Sequence, residues 1–238
     1  MPVAGNAFHV ARSLQVHDNA AEKNGIKLLI GFDFHEYVSI ARATPTKGPT
    51  FPNFRPDRSP IKEGEGYWII GLDKNNNVAG LEAARLYDLS HTNFAEHLRS
   101  LKAFYADPAM HAHPEDRCIC TAPSAKKMTG KVAYHGDLWV RRDFRGKGVR
   151  KILTRVTHAV SFAMWAPDFL CAIVERWTLD KNVDDMLHHE PGGAILRLVE
   201  DDIVEDNWLS WETGEELRSW FDRCSRTDLS LATSLSST

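Results

Sequence analysis

Residues 131–140, KVAYHGDLWV, set Val132, Tyr134, Gly136, Leu138 and Val140 against Ala133, His135, Asp137 and Trp139, the period of two that a β-strand imposes. The run passes directly into RRDFRGKG and then into a helical pattern starting near Gly146. That pattern carries Val149, Ile152, Leu153, Val156, Val160 and Ala163 on one face and stops before Pro167. A strand that enters a basic, glycine-containing turn and leaves as an amphipathic helix restricts the chain to folds in which helices cover a sheet. Gly146 and Gly148 let backbone approach a ligand, and the helix start offers unpaired N–H groups and a positive dipole end. The turn is therefore an anion cradle suited to a pyrophosphate. It carries neither G-x-x-x-x-G-K-[ST] nor G-x-G-x-x-G, which excludes the nucleotide P-loop and the dinucleotide fingerprint.

The segments on either side extend the same α/β pattern. Residues 26–31 read as a strand and 33–43 as a helix. Five prolines at 45, 49, 52, 56 and 60, interleaved with Phe51, Phe54, Arg55 and Arg58, make the next stretch a loop. Residues 67–72 and 78–86, joined by DKNNN, read as an antiparallel hairpin. Residues 91–105 show a helical face, and 107–130 read as irregular, so about 90–130 is an insertion before the fourth strand. Downstream come a strand at 169–174, a helix at 179–189, a break at Pro191-Gly192-Gly193, a strand at 194–199 and a last strand at 207–212. Thr213 followed by Glu216 is a capping box that opens a terminal helix through 222. The reading is one domain over 1–224, with 225–238, eight of whose fourteen residues are Ser or Thr, as a disordered tail.

The basic turn resembles the signature of the GNAT superfamily of acyl-CoA N-acyltransferases, [QR]-x-x-G-x-[GA] following a strand. Arg145, Gly146, Lys147, Gly148, Val149 and Arg150 fill its positions, with Arg150 where the family has Gly or Ala. The lead-in is similar to V-x-P-x-[FY]-R-G, with Arg142 in place of Pro. Asn182, His189 and Gly193 hold the slots of the family's Asn, Tyr and Gly further on. The resemblance covers roughly 67–212, with 90–130 unmatched. It implies a mixed, mostly antiparallel sheet flanked by helices, with one strand splayed from its neighbour. It also implies that the backbone of Leu138 and Val140 holds the pantetheine and thioester, and that residues 145–150 hold the pyrophosphate. Asn182 would contact the pantetheine arm, and His189 would replace the Tyr that protonates the departing thiolate. The cosubstrate would be acetyl-CoA or another acyl-CoA, and the acceptor a small-molecule amine.

The general base has three candidates. His135 and Asp137 lie two residues apart on one face of an ideal strand, close enough to shift each other's pKa, and Glu82 lies on the strand before. His111, His113, Cys118 and Cys120 have spacings that fit no common zinc pattern, so no metal is expected. Four cysteines are too few for a disulfide scaffold. No stretch is apolar enough to span a bilayer and the first twenty residues do not read as an export signal, so the cytoplasm is the default compartment. Residues 125–155 hold ten Lys or Arg against two Asp in a chain of net charge −3. That stripe leaves two other readings open, a nucleic-acid or phosphate-binding module and a catalytically inactive acyl-CoA scaffold. Self-association into a homodimer is also left open.

Overall fold

A computed structural model describes residues 7–181 and 185–223. Asn182 and the segment 225–238 lie outside the described residues. Among the described residues the strands are β1 (Lys27–Gly31), β2 (Gly66–Leu72), β3 (Val78–Leu89), β4 (Arg117–Ile119), β5 (Gly130–Val140), β6 (Phe169–Glu175), β7 (His188–Leu198) and β8 (Ile203–Thr213). They form one sheet in the order β1-β2-β3-β5-β6-β8-β7-β4. Among the described residues only β5 and β6 run parallel; every other pair is antiparallel. This is the mixed, mostly antiparallel sheet flanked by helices that the resemblance implies.

A parallel pair needs a crossover, and helix α5 (Val149–Trp165) supplies it. Its apolar stripe, Val149, Ile152, Leu153, Val156, Ala159, Phe162 and Trp165, is buried against one face of the sheet. Ala166, in the left-handed region at φ 41°, ends it just before Pro167. Helix α1 (Ala7–Lys23) packs against α5 with Val10, Ser13 and Ala21 buried. The helix over 214–223 adds Leu217 and Phe221 to the same core. It opens on the expected capping box, in which Glu216 N–H donates to Thr213 Oγ1 and Thr213 N–H to Glu216 Oε2. The opposite face is covered by α2 (Phe34–Ala43), the proline-rich loop and the insertion, and its core is aromatic: Phe34, Tyr37, Phe54, Trp68, Phe94 and Tyr134.

Three segments differ from the sequence expectation. The helix expected at 91–105 is only α3 (Phe94–Arg99), because Leu101 adopts φ 60° and turns the chain. Phe94, Leu98, Leu101, Phe104 and Tyr105 are buried all the same. The stretch 107–130 is not wholly irregular: it contains α4 (Pro108–His111) and β4, which pairs with β7 at the far edge of the sheet. The helix expected at 179–189 is replaced by α6 (Arg176–Asp180) and the start of β7. His188 stacks on Trp211 across the β7–β8 pair, and strand pairing outweighs the weak local helical pattern. Pro191-Gly192-Gly193 is a bulge inside β7 rather than a break. A Cβ at Gly193 would lie 2.4 Å from the Leu209 nitrogen, so only glycine fits. Among the described residues no helix is long and apolar enough to cross a membrane.

Helix α5 carries a polar stripe beneath the sheet. Ser161 Oγ lies 2.9 Å from His135 Nε2 and 2.8 Å from the Tyr67 hydroxyl. His158 is fully buried with its ring 5.2 Å from that of His135, and neither of its ring nitrogens has a hydrogen-bond partner among the described residues. Burial lowers the pKa of His135 to about 3, that of His97 to about 4 and that of His158 well below the usual histidine range. The folded chain keeps these rings neutral while the unfolded chain protonates them below pH 6.5. Stability is therefore present above that pH and falls as the medium is acidified, by about 1.4 kcal/mol per pH unit for each fully linked proton. Asp137, whose carboxyl burial raises, gains its proton more readily in the folded chain and so opposes this slope. His158→Leu is expected to raise the melting temperature and to flatten its fall between pH 6.5 and 4.5. A melting temperature unchanged at pH 7 and equally steep in acid would contradict this.

Candidate active site

The register between β3 and β5 slips at one point. Leu81 faces Trp139 and Ala83 faces Gly136, so the single residue Glu82 opposes the two residues Asp137 and Leu138. This is a β-bulge, and Asp137 takes the left-handed conformation at φ 55° that it requires. The inserted residue reverses the alternation of faces. His135, before the bulge, points under α5 to Ser161, whereas Asp137 points to the opposite face and accepts a hydrogen bond from the Tyr37 hydroxyl at 2.7 Å. The expectation that His135 and Asp137 share a face is thus corrected: an ideal period of two does not survive the extra residue.

A second irregularity follows immediately. Parallel pairing of β5 with β6 covers Val132↔Phe169 to His135↔Ala172 and stops there, while β6 stays paired with β8 through Glu175. Beyond His135 the two strands part, and a cavity of about 1020 Å³ opens between them. Residues 136–140 form one wall and Ile173, Val174 and Glu175 the other. Leu138 and Val140 lie along this opening. A pocket of this size is at the upper end of those that enclose whole small ligands.

The basic turn closes one end of the cavity. Gly146 and Gly148 have φ values of 75° and 77°, with no atom within 4 Å of where a Cβ would stand. Backbone conformation, not lack of space, thus requires glycine there. The first hydrogen bond of α5 runs from Ile152 N–H to the Gly148 carbonyl, which leaves the N–H groups of Val149, Arg150 and Lys151 without an intrahelical acceptor. Arg145, Gly146, Gly148, Val149 and Arg150 line this end. Arg145 folds back so that its Nε donates to the Val140 carbonyl at 2.9 Å. Lys147 instead sits over the Phe144 ring at 5.2 Å and does not line the cavity.

At the bulge, Asp137 is enclosed. Its side chain is 3% exposed and accepts from Lys47 Nζ at 2.8 Å, and the Lys47 side chain is itself 5% exposed. Burial pushes the Asp137 carboxyl above the usual range, and the adjacent Lys47 ammonium works in the opposite direction. Tyr37, fully buried beside this carboxylate, is held well above the usual phenol range and stays protonated. Glu82 and His135 line the cavity on the side of α5, where Thr157 Oγ1 donates to Glu82 Oε2 at 3.2 Å and His135 Nδ1 lies 3.9 Å from Glu82 Oε1. Sequence reasoning missed Lys47 and Tyr37. They stand 90 and 100 residues from Asp137, and no local pattern marks them.

The remaining candidates are placed as follows. Phe51 and Phe54 of the proline-rich loop line the cavity. Arg55 and Arg58 face away from it and pair with Asp201 and Glu200. His189 lies in β7 opposite Ser210, not on the expected helix, and does not line the cavity. His111, His113, Cys118 and Cys120 form no metal-binding group among the described residues.

No family model matches the sequence, and no curated protein matches it. Solved structures with similar folds include Arabidopsis thaliana NAA60 in complex with acetyl-CoA, at 11% identity and TM-score 0.43, covering 79% of this chain and 98% of that one. A ribosomal-protein-S5-alanine acetyltransferase from Vibrio fischeri is 11% identical with TM-score 0.44, covering 81% and 95%. A GNAT superfamily phosphinothricin acetyltransferase from Sinorhizobium meliloti in complex with AcCoA is 12% identical with TM-score 0.38, covering 79% and 88%. All three TM-scores lie below 0.5. The fold assignment therefore stands on the strand order and the parting of β5 from β6, and the chemistry on the cavity itself.

Proposed function

We propose that this chain is an acyl-CoA-dependent N-acyltransferase that moves an acyl group, acetyl in the simplest case, onto a small-molecule amine. One observation carries the reading: a single cavity runs from a helix N-terminus with unclaimed N–H groups, along the unpaired edge of a parted strand, to a buried carboxylate. A thioester with a diphosphate-bearing tail needs those three features in that order. The N–H groups at the start of α5, with Arg145 and Arg150, hold the diphosphate. The backbone of Leu138 and Val140, which has no strand partner on the β6 side, holds the pantetheine arm and directs the thioester toward the bulge. Asp137 takes the proton of the attacking amine, and burial, which raises its carboxyl above the usual range, makes it a stronger proton acceptor than an exposed aspartate. Tyr37 keeps the Asp137 carboxylate in place by donating to it. An incoming amine reaches Asp137 by displacing the Lys47 ammonium. His135, kept neutral by burial and engaged with Ser161, serves as a positioning group under the bulge rather than as the base.

The basic stripe gives less support to a nucleic-acid module. Arg141 is paired with Asp73 and Asp143, and Lys151 and Arg155 both approach Asp185. A melting scan with acetyl-CoA, CoA, NAD and ATP tests the reading. Acetyl-CoA or CoA at 100 times its dissociation constant should add about 2.7 kcal/mol of stability, and NAD should add none. Thiol release on addition of an amine panel then separates an enzyme from an inactive scaffold. Stabilisation by none of the CoA ligands would overturn the proposal.

A further inference from the structure

The cavity contains an amine of its own. Lys47 follows Thr46, whose backbone sits at φ 64°, and lines the cavity. Its Nζ donates to Asp137 Oδ1 at 2.8 Å and to the Gly48 carbonyl at 3.0 Å. Lysines are almost never fully buried and keep their ammonium in water, so a lysine end placed against the one carboxylate suited to accept an amine proton calls for an explanation. Asp137 of this pair and Thr46, next to Lys47, both hold left-handed backbones, a conformation that persists where surrounding structure enforces it.

We propose that Lys47 is an acyl acceptor, so that the chain acylates its own Lys47 when no other amine occupies the cavity. The proposal rests on the acyl-CoA reading above. Asp137 first takes one proton from the Lys47 ammonium. The neutral Nζ then attacks the thioester carbonyl carbon; the C–N bond forms and the C–S bond breaks. The second Nζ proton passes to the departing sulfur, giving the free CoA thiol and an Nε-acyl-lysine, and Asp137 returns its proton to water. No oxidant or further reactant is needed. The product amide carries no charge and no longer pairs with Asp137, which leaves that carboxylate open to an external amine.

Lys62 provides an internal control, because its side chain is 84% exposed and lies 4.0 Å from a surface glutamate, so it reacts with acyl-CoA only as a lysine in solution does. The full chain is incubated with acetyl-CoA, digested, and the peptides bearing Lys47 and Lys62 are quantified by mass spectrometry, with a melting scan run on the same sample. Lys47 should gain one acetyl group at least about tenfold faster than Lys62, since its amine is held in place. Its rate should not depend on protein concentration, and excess CoA should suppress labelling of Lys47 but not of Lys62. Asp137→Asn should slow Lys47 alone; the CoA competition gives the same answer with no variant to fold. If CoA raises the melting temperature but Lys47 is labelled no faster than Lys62, self-acylation is wrong and the acyl-CoA reading stands. Labelling that accelerates with protein concentration also rejects it. If CoA does not raise the melting temperature, both proposals fall.

Discussion

Asp137→Asn is expected to lower turnover with an external amine by about 10²–10⁴-fold, the usual contribution of a positioned proton acceptor, while leaving acetyl-CoA binding nearly unchanged. The separation follows from the layout: the carboxylate lies at the bulge, on the face of Tyr37 and α2, whereas the diphosphate end is built from the start of α5. The same substitution should also destabilise the fold. It leaves the Lys47 ammonium, 5% exposed, facing a neutral amide, and breaking one side of a buried ion pair costs about 3–5 kcal/mol. Calorimetric titration with CoA and a steady-state assay on the same preparation check both parts. Unchanged turnover, or a loss of CoA affinity as large as the loss of rate, would show that Asp137 does not act on the amine.

The second large effect is expected at Arg85. This buried guanidinium donates to the carbonyls of Asn53, Ser59 and Pro60 and to Ser59 Oγ. It thereby fastens the proline-rich loop to β3, and that loop presents Phe51 and Phe54 to the cavity. Arg85→Met removes the donor from several buried acceptors at once and should cost about 2–4 kcal/mol. It should also expose residues 52–60 to proteolysis and raise KM for the amine more than it changes CoA binding. Wild-type protease resistance together with an unchanged melting temperature would remove the fastening role.

What the sequence made legible is local. The alternation of 131–140, the glycines at 146 and 148 and the stripe of α5 are each written within a few residues of one another, so strand, turn and helix stand where the pattern places them. Helix α1 was not legible, because only Val10, Ser13 and Ala21 are buried in its seventeen residues and its apolar stripe is thin. β7 was obscured by Pro191-Gly192-Gly193, which reads as a stop yet forms a bulge held by pairing with β8. The site was half legible. Its diphosphate end comes from one continuous segment, whereas the Asp137 environment depends on a one-residue slip against β3 and on a lysine 90 positions away. No periodicity encodes either, and the slip turned a correct strand into a wrong account of which side chains share a face.

Amide hydrogen exchange with and without CoA tests the central claim most directly. CoA should slow exchange at Gly146, Lys147, Gly148, Val149, Arg150 and Lys151, and along Asp137, Leu138 and Trp139 at the open edge of β5, while the β1–β2 pair stays unchanged. Protection that appears elsewhere, or unchanged exchange at the start of α5 under saturating CoA, would contradict it.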